Sequence, residues 1–199
     1  MHQPKPKLII AITGASGAIY AHYLLQSLGN MEKASPYFDS IVLIASEIGK
    51  QVYAYEMNED LYAYAQTSLP HIICLENADL FAPPASGSSQ FNTMIVLPCS
   101  MGTASKIAAG IGDSLITRAA QVMLKERAKL ILAVRETPLS LIHLQSLTTL
   151  AQAGAMICPA APAFYSKPAD LEELAQSYVD RIMQWIGVPG TYFQWQKPD

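Results

Sequence analysis

The residues most able to do chemistry in this chain form a glycine turn, Gly14-Ala15-Ser16-Gly17, directly after an apolar run at 8–13. Glycines let an anion approach the backbone N–H groups that a helix leaves unpaired at its start, and the helix dipole favours negative charge there. The Ser16 hydroxyl adds another donor. The turn predicts a nucleotide or flavin phosphate site, but Gly-x-x-Gly is neither a full dinucleotide fingerprint nor a P-loop. A tight strand-to-helix turn without a ligand has the same spacing.

Further small and polar residues follow the other apolar runs, at the points where strands are predicted to end. In a parallel sheet these ends share one edge, and the ligands of open α/β sheets bind outside it. Each residue also has an ordinary role: Ser100 or Thr103 suits a helix N-cap, and Arg135 suits a surface ion pair. Their concentration at one edge nevertheless predicts a polar site. The candidates are Ser46, Ser100, Met101, Gly102, Thr103, Arg135 and Glu136.

Three other charged residues have two interpretations each, and a fourth has one. Arg118 and Lys125 lie seven residues apart and share one face of a predicted helix, which either supplies charge for a second anion or is a solvated surface. Arg181, in the last predicted helix, is a surface residue by default. Glu56 follows two tyrosines, an environment that can raise the pKa of a carboxyl group for proton transfer, or it is an exposed helix residue. The histidines have no partners at metal-ligand spacing, so no metal is predicted.

Short apolar runs rich in β-branched residues alternate with helical patterns along the chain. This alternation predicts a doubly wound parallel sheet with helices on both faces, a Rossmann-like α/β fold. Residues 76–93 are the least regular stretch and predict a functional loop or lid. The predicted strands are 8–13, 41–46, 72–75, 94–98, 130–135 and 155–158, and the predicted helices lie near 17–29, 47–57, 103–110, 114–128, 139–153 and 170–186.

Composition narrows the function classes. Charged residues make up 15% of the 199 residues, against about 25% in an average domain, so we expect a homo-oligomer that buries part of this surface. A net charge of −3 without a basic run argues against nucleic acid, and no apolar stretch reaches membrane-spanning length. Three scattered cysteines suit a reducing cytoplasm. The chain is predicted to be one domain, 1–199, whose aromatic C-terminal tail packs on the body or on a neighbouring subunit.

Taken together, the motifs resemble the flavin prenyltransferase family of the UbiX/Pad type. They occur in family order over nearly the whole chain, and their joint match is specific although each motif is short. The matching segments are 13–20, 85–88, 97–103, 115–120, 124–127, 135–139 and 159–165.

The resemblance implies a single Rossmann-like flavoprotein domain in a dodecamer, with active sites at subunit contacts. The family transfers a dimethylallyl group from dimethylallyl phosphate to reduced FMN without a metal, bonding first at flavin N5 and then at C6. The product serves a partner decarboxylase of the UbiD type, in ubiquinone synthesis or aromatic acid decarboxylation. Loss of the phosphate makes an allylic cation, so side-chain cations and hydroxyls must hold the phosphate, and an apolar wall must exclude water.

The resemblance also assigns roles to individual residues. The implied FMN-binding residues are Gly14, Ala15, Ser16, Ser46, Ser100, Met101, Gly102, Thr103, Arg118 and Arg135. The implied prenyl-phosphate residues are Lys125, Tyr165 and Arg181, with Ser86 and Gly87 in the same pocket and Trp195 covering it. The implied catalytic residues are Lys125 and the proton-handling carboxylates Glu56 and Glu136.

One departure and two alternatives accompany the resemblance. Many relatives carry His-Arg where this chain has Ser166-Lys167, and because lysine cannot reproduce a bidentate arginine contact, phosphate binding there is expected to be weaker or differently arranged. One alternative is an FMN-dependent decarboxylase, of the 3-polyprenyl-4-hydroxybenzoate carboxy-lyase type or like the related cysteine decarboxylases, which need a substrate-clamp motif absent at 136–139. The other is a non-catalytic FMN carrier, which would not need Lys125, Tyr165 and Arg181.

Overall fold

The computed structural model describes residues 5–29 and 37–188, which form one six-stranded sheet with helices on both faces. The strands are β1 (Lys7–Ile12), β2 (Ser40–Ala45), β3 (Ile72–Glu76), β4 (Thr93–Cys99), β5 (Lys129–Val134) and β6 (Met156–Ile157). Across the sheet they stand in the order β3-β2-β1-β4-β5-β6, and every neighbouring pair is parallel. The predicted fold class is confirmed, and each predicted strand end lies within one residue of the observed one.

The helices are α1 (Ala18–Gly29), α2 (Glu47–Met57), α3 (Leu61–Ser68), α4 (Met101–Ala108), α5 (Leu115–Lys125), α6 (Leu141–Gln152) and α7 (Leu171–Ile186). The prediction missed α3, which the Asp60 side chain caps by accepting from the Ala63 N–H. This helix buries only Leu61 and Ala65, so its apolar period barely repeats. The prediction also began α4 two residues late, because Ser100 caps that helix.

Strand β1 is buried on both faces, which explains its unbroken apolar sequence. Leu8, Ile10 and Ile12 pack in the core beneath α1, α2, α3 and α7. Ile9 and Ala11 pack in the core beneath α4, α5 and α6. Burying each of the larger side chains is worth about 1.5–3 kcal/mol. The two half-cores therefore hold the sheet rigidly and fix the positions of the loops at its carboxyl edge.

The strand order places a switch point between β1 and β4. From β1 the chain passes to β2 on one side, whereas β4, on the other side of β1, leads on to β5. The loops after β1 and β4 therefore diverge and leave a crevice at the carboxyl edge of the sheet. The predicted irregular loop at 76–93 contains two single-turn 3₁₀ helices, Pro83–Ala85 and Gly87–Ser89.

Residues 5–29 and 37–188 contain no helix with the length and apolarity needed to cross a membrane. In the same residues, no three His, Cys, Asp or Glu side chains are grouped as metal ligands. Cys74, Cys99 and Cys158 are free thiols.

Candidate active site

Thr13 joins the ends of β1 and β4 beneath the crevice. Its hydroxyl donates a hydrogen bond to the Pro98 carbonyl oxygen at 2.9 Å and accepts one from the Ser100 N–H at 2.8 Å. The residue is 1% exposed, so water cannot compete with these bonds, and they fix the two loops relative to each other. The prediction omits Thr13 as a site residue, although its place immediately before the glycine turn is a usable signal.

A cavity of about 450 Å³ opens between these loops, within the roughly 300–1,000 Å³ range of small-molecule sites. The first turns of α2 and α4 border it. Ser46 caps α2 by accepting from the Gly49 N–H at 3.0 Å, and Ser100 caps α4 by accepting from the Thr103 N–H at 3.3 Å. The remaining first-turn N–H groups of each helix have no carbonyl partner within that helix. The predicted residues on the cavity wall are Gly14, Ser46, Ser100, Gly102 and Thr103.

The donors around this cavity fit the phosphate end of a flavin nucleotide, because helix N-termini favour negative charge. Lys106 lines the same cavity and pairs with Asp113 at 2.6 Å, a positive charge that the prediction missed. Gly14 closes the wall tightly, since an added Cβ would overlap the Ile48 side chain. At Gly102 an added Cβ meets no described atom within 4 Å, so the cavity is open beside α4.

Two predicted residues lie beside this cavity with buried side chains. Met101 is 2% exposed and belongs to the core beneath α4. Ala15 is 5% exposed, and its N–H donates to the Thr13 carbonyl oxygen at 2.8 Å. Since both side chains are apolar and buried, they shape the wall from behind.

The glycine turn itself holds an anion from within the chain. The Glu56 carboxylate, carried by α2, accepts hydrogen bonds from the N–H groups of Gly17 at 2.9 Å and Ala18 at 2.7 Å. Burial alone would raise the pKa of Glu56, but hydrogen bonds from the Ser16 side chain and from these two amides, together with the positive charge of Arg135, lower it overall. Glu56 is therefore ionised at neutral pH.

Of the two interpretations of Glu56, the raised pKa is wrong, and the exposed helix residue agrees with the structure. The tyrosines that suggested it do not enclose the carboxyl group, because Tyr53 is buried against His22 and Tyr55 is 88% exposed. The N–H donors that lower the pKa lie 39 and 38 residues away in sequence, so only the fold reveals them. Because Glu56 accepts from the Gly17 and Ala18 N–H groups at the start of α1, the helix N-termini that border the cavity are those of α2 and α4.

Arg135 and Glu136 follow β5, and Arg135 contacts the glycine turn. The Arg135 Nε donates to the Ser16 carbonyl oxygen at 3.0 Å. Glu136 is exposed, and its carboxylate accepts from the Thr137 N–H at 3.1 Å. The structure therefore brings Ser16 after β1, Glu56 in the last turn of α2 and Arg135 after β5 into one polar group at the carboxyl edge of the sheet.

The irregular loop lies on the charged face of α5. The Arg118 Nε donates to the Ala85 carbonyl oxygen at 3.1 Å. Gly87 lies against the ion pair of Lys125 with Glu126, since an added Cβ would overlap the Glu126 carboxylate and lie 3.1 Å from the Lys125 Nζ. Both ion-pair side chains are about half exposed, so their attraction is worth only about 0–1 kcal/mol. A phosphate with two charges can compete for Lys125.

Ser86, predicted for the same pocket as Gly87, is exposed. Its hydroxyl lies 2.9 Å from that of Ser88 and accepts from the Ser88 N–H at 3.4 Å. These contacts hold the loop in a tight turn beside α5.

Tyr165 and Arg181 line a second cavity, of about 440 Å³, between β6 and α7. Arg181 donates to the Gln184 side chain at 2.7 Å, and its guanidinium carbon lies 5.5 Å from the centroid of the Trp185 ring. An arginine and a phenol on the wall of a mainly apolar cavity suit a phosphate joined to a hydrocarbon group. The prediction missed Trp185. Trp195, predicted to cover the site, lies outside the described residues.

A cavity at the switch point of a sheet in this strand order, bordered by helix N-termini, defines a Rossmann-like nucleotide-binding protein. A model of the flavoprotein family matches residues 1–186. The flavin prenyltransferase UbiX of Thermoplasma acidophilum is 41% identical over 182 residues, which cover 92% of this chain and 95% of that protein. The chain therefore belongs to the UbiX flavin prenyltransferase family of flavoproteins.

Solved structures agree with this assignment. A crystal structure of AnUbiX (PadA1) in complex with FMN and dimethylallyl pyrophosphate superposes with a TM-score of 0.87 at 34% identity and covers 98% of this chain and 100% of that one. A dodecameric FMN-dependent UbiX-like decarboxylase from Escherichia coli O157:H7 also superposes with a TM-score of 0.87, at 36% identity, over 96% of this chain and 100% of that one.

Proposed function

We propose that this protein is a flavin prenyltransferase that moves a dimethylallyl group from dimethylallyl phosphate to reduced FMN. The observation that carries the proposal is the pair of cavities in a chain of this family: one built for a flavin phosphate, the other apolar and carrying Arg181. Support also comes from AnUbiX, whose structure contains FMN and dimethylallyl pyrophosphate and resembles this chain over 98% of its length.

The first cavity is the proposed FMN site. Reduced FMN, when bound, supplies the nucleophilic ring that takes the prenyl group. The N-termini of α2 and α4 hold the phosphate, and Arg135 steadies the glycine turn through the Ser16 carbonyl. The residues proposed to bind FMN are Gly14, Ala15, Ser16, Ser46, Ser100, Met101, Gly102, Thr103, Arg118 and Arg135.

Lys125, Tyr165 and Arg181 are proposed to hold the phosphate of the donor. As the C–O bond of the donor breaks, its electron pair leaves with the phosphate, and the added negative charge needs cationic and hydroxyl partners. Two side-chain cations and a phenol supply them without a metal ion. Gly87 borders Lys125, Ser86 and Gly87 are proposed to complete this pocket, and Trp195 is proposed to cover it.

Glu56 and Glu136 are the proposed proton-handling groups. Glu56 is held ionised at the first turn of α1, beside Ser16. A carboxylate in this position can accept a proton from a group bound next to the glycine turn. Glu136 lies on the exposed strand end, adjacent to Arg135, where it can pass a proton to solvent.

We infer that neighbouring subunits complete each site. Lys125 lines neither of the two cavities, so a second chain is needed to bring it to Arg181. Large apolar side chains are exposed for such contacts, among them Phe81, Leu141 and Ile142. We propose that the subunits form a dodecamer, as in the relative from Escherichia coli, and that the protein is cytoplasmic. We also propose that it delivers its product to a UbiD-type decarboxylase, in ubiquinone synthesis or aromatic acid decarboxylation.

Mass spectrometry of the extracted flavin tests the transfer. The protein is incubated anaerobically with reduced FMN and dimethylallyl phosphate, and a flavin heavier by one five-carbon unit is expected. Parallel incubations omit the donor or use oxidised FMN, and both should return unmodified FMN. Recovery of unmodified FMN from the complete mixture would favour the carrier, whereas a decarboxylase would release carbon dioxide from an aromatic acid without any added prenyl donor.

A further inference from the structure

His22 of α1, which is half-buried, and Tyr53 of α2 form a polar pair that the proposed reaction leaves unused. The His22 Nδ1 lies 2.7 Å from the Tyr53 hydroxyl, and Tyr53 is fully buried. Tyr64 of α3 stacks on the imidazole with ring centroids 5.0 Å apart, and Tyr23 meets it edge-on at 5.7 Å. A hydroxyl at this depth bears its full desolvation cost if its partner is removed. The pair is therefore a specific tie between two helices.

Both members of the pair are uncharged at neutral pH. Burial lowers the pKa of His22, although the nearby Glu59 carboxylate opposes this by raising it. Burial likewise raises the pKa of Tyr53. A neutral hydrogen bond of this kind holds its geometry without the need to neutralise a buried charge.

On each helix, the member of the pair lies one turn from a residue of the Glu56–Ala18 contact. On α2, Tyr53 precedes Glu56 by three residues. On α1, His22 follows Ala18 by four, and the Ala18 N–H donates to Glu56 at 2.7 Å. Residues spaced by three or four lie on one face of a helix. The contacts of Tyr53 with His22 and of Glu56 with Ala18 therefore lie side by side along one interface.

We propose that His22 and Tyr53 are positioning residues whose hydrogen bond fixes α2 on α1 so that the Glu56 carboxylate reaches the N–H groups of Gly17 and Ala18. The bond from Gly17 to Glu56 is exposed, where water competes with it, and the bond from Ala18 is part-buried, whereas the His22 contact is made to a tyrosine that is fully buried. The tie to the buried Tyr53 therefore sets the relative position of the helices, and the more exposed contact of Glu56 depends on it. The catalytic consequence rests on the proposed function, but the contact itself does not.

The test begins with Tyr53→Phe, which removes the hydroxyl and keeps the ring. We expect the rate of flavin prenylation to fall about fivefold, the effect of one lost buried hydrogen bond, while the FMN dissociation constant and the KM for dimethylallyl phosphate stay unchanged. The acid limb of the rate–pH profile should move to higher pH, because Glu56 loses N–H donors that lower its pKa. Tyr64→Phe is the matched control, since it removes a hydroxyl from the stacked ring and leaves the tie intact. It should behave as wild type.

Hydrogen–deuterium exchange of the FMN-free protein provides a readout without catalysis. The peptide that contains Gly17 and Ala18 should exchange faster in Tyr53→Phe than in Tyr64→Phe. His22→Leu should speed the exchange of this peptide as much as Tyr53→Phe does. The double variant should exchange no faster than either single variant, because both changes break the same bond. His22→Asn, which keeps a polar atom near the Nδ1 position, should recover most of the rate.

Wild-type rate, pH profile and exchange in Tyr53→Phe would overturn the proposal. So would a His22→Asn variant that is as slow as His22→Leu. If wild-type protein forms no prenylated flavin, the proposed function fails, but the exchange of Gly17 and Ala18 still decides whether the pair positions Glu56.

Discussion

The two cavities are nearly equal in volume, about 450 Å³ between the ends of β1 and β4 and about 440 Å³ between β6 and α7. They differ in the groups that line them. The first is walled by a glycine turn, two helix N-termini and hydroxyl groups on loops that Thr13 ties together. The second is walled by residues from the two-residue strand β6, from the loop at 158–166 that follows it and from α7. Backbone therefore shapes the first cavity, and side chains give the second its charge.

This difference predicts different sensitivities to mutation. A site made of backbone N–H groups depends on close packing of its turns, so added volume should harm it more than lost charge. A site whose charge comes from single side chains should lose affinity when one of them is removed. The difference also fits the proposal that neighbouring subunits complete the site. The first cavity has its donors within one chain, whereas Lys125 is absent from the lining of the second and is proposed to come from another chain.

The largest expected effect is on the first cavity, in Gly14→Val. The new side chain would overlap Ile48 in the first turn of α2, and α2 must move away from the end of β1 to admit it. We expect FMN binding to weaken more than about 100-fold, since both helix N-termini must converge on the phosphate. Titration of the FMN-free protein, followed by flavin fluorescence, measures this.

Gly102→Ala is the matched control for that substitution. It adds a side chain on the wall of the same cavity, but at a point where no described atom lies within 4 Å. Its melting temperature should stay close to that of wild type because no protein atom is displaced, and its FMN affinity should fall no more than about tenfold, because the methyl group meets only the ligand. Equal losses in the two glycine variants would contradict the view that packing of the turn shapes this cavity.

A smaller effect is expected in the second cavity, from Arg181→Met. Removing the guanidinium while keeping an unbranched apolar stem should raise the KM for dimethylallyl phosphate roughly 10- to 100-fold, as for a lost charge-assisted hydrogen bond. FMN affinity should be unchanged. Steady-state kinetics with mass-spectrometric detection separate the two. Arg181→Lys keeps the charge but not the planar fork, so its KM should lie between those of wild type and Arg181→Met.

The first cavity could largely be predicted from sequence, and the second could not. Strand ends are readable because β-branched apolar runs stop at glycine, serine and arginine, and a parallel sheet brings those ends to one edge. Gly14, Ser46 and Ser100 are expected at this edge for that reason, and all three line the first cavity. Tyr165 lies in a loop and Arg181 on a helix face, where no comparable rule predicts which residues form a site. Only the resemblance to a family selected these two residues.

What sequence reasoning missed shares one physical origin, contact between distant segments. The Glu56 carboxylate meets the first turn of α1 across 38 residues, and this reverses the expected direction of its pKa shift. Thr13 meets Pro98 across 85 residues. Each bond depends on loop paths that local patterns do not specify.

A several-fold effect on the second substrate is expected from Gly87→Ala. The new methyl group would overlap the Glu126 carboxylate, the flexible end of an exposed side chain, so the ion pair with Lys125 should break without unfolding the chain. We expect the KM for dimethylallyl phosphate to fall, by at most about fivefold, because the phosphate no longer competes with Glu126 for Lys125 and an exposed pair is worth about 0–1 kcal/mol. A melting temperature within about 2 °C of wild type checks that the fold is kept. A KM equal to that of wild type would mean that this loop does not control Lys125.

The smallest expected effect is that of Glu56 on the thermal stability of the fold. The folded protein lowers the pKa of Glu56 below its ordinary value, so the carboxylate stabilises the fold above the pKa of the unfolded chain, about 4.3. This contribution is lost as the pH falls through the still lower folded-state pKa. FMN-free Glu56→Gln should therefore melt below wild type at pH 7, and the gap should close in acid below about pH 4. Because the carboxylate is exposed, the gap should not exceed about 2 °C. Circular dichroism melts at several pH values measure it, and a gap that stays constant from pH 7 to pH 3 would show that the amides of Gly17 and Ala18 do not stabilise the ionised form.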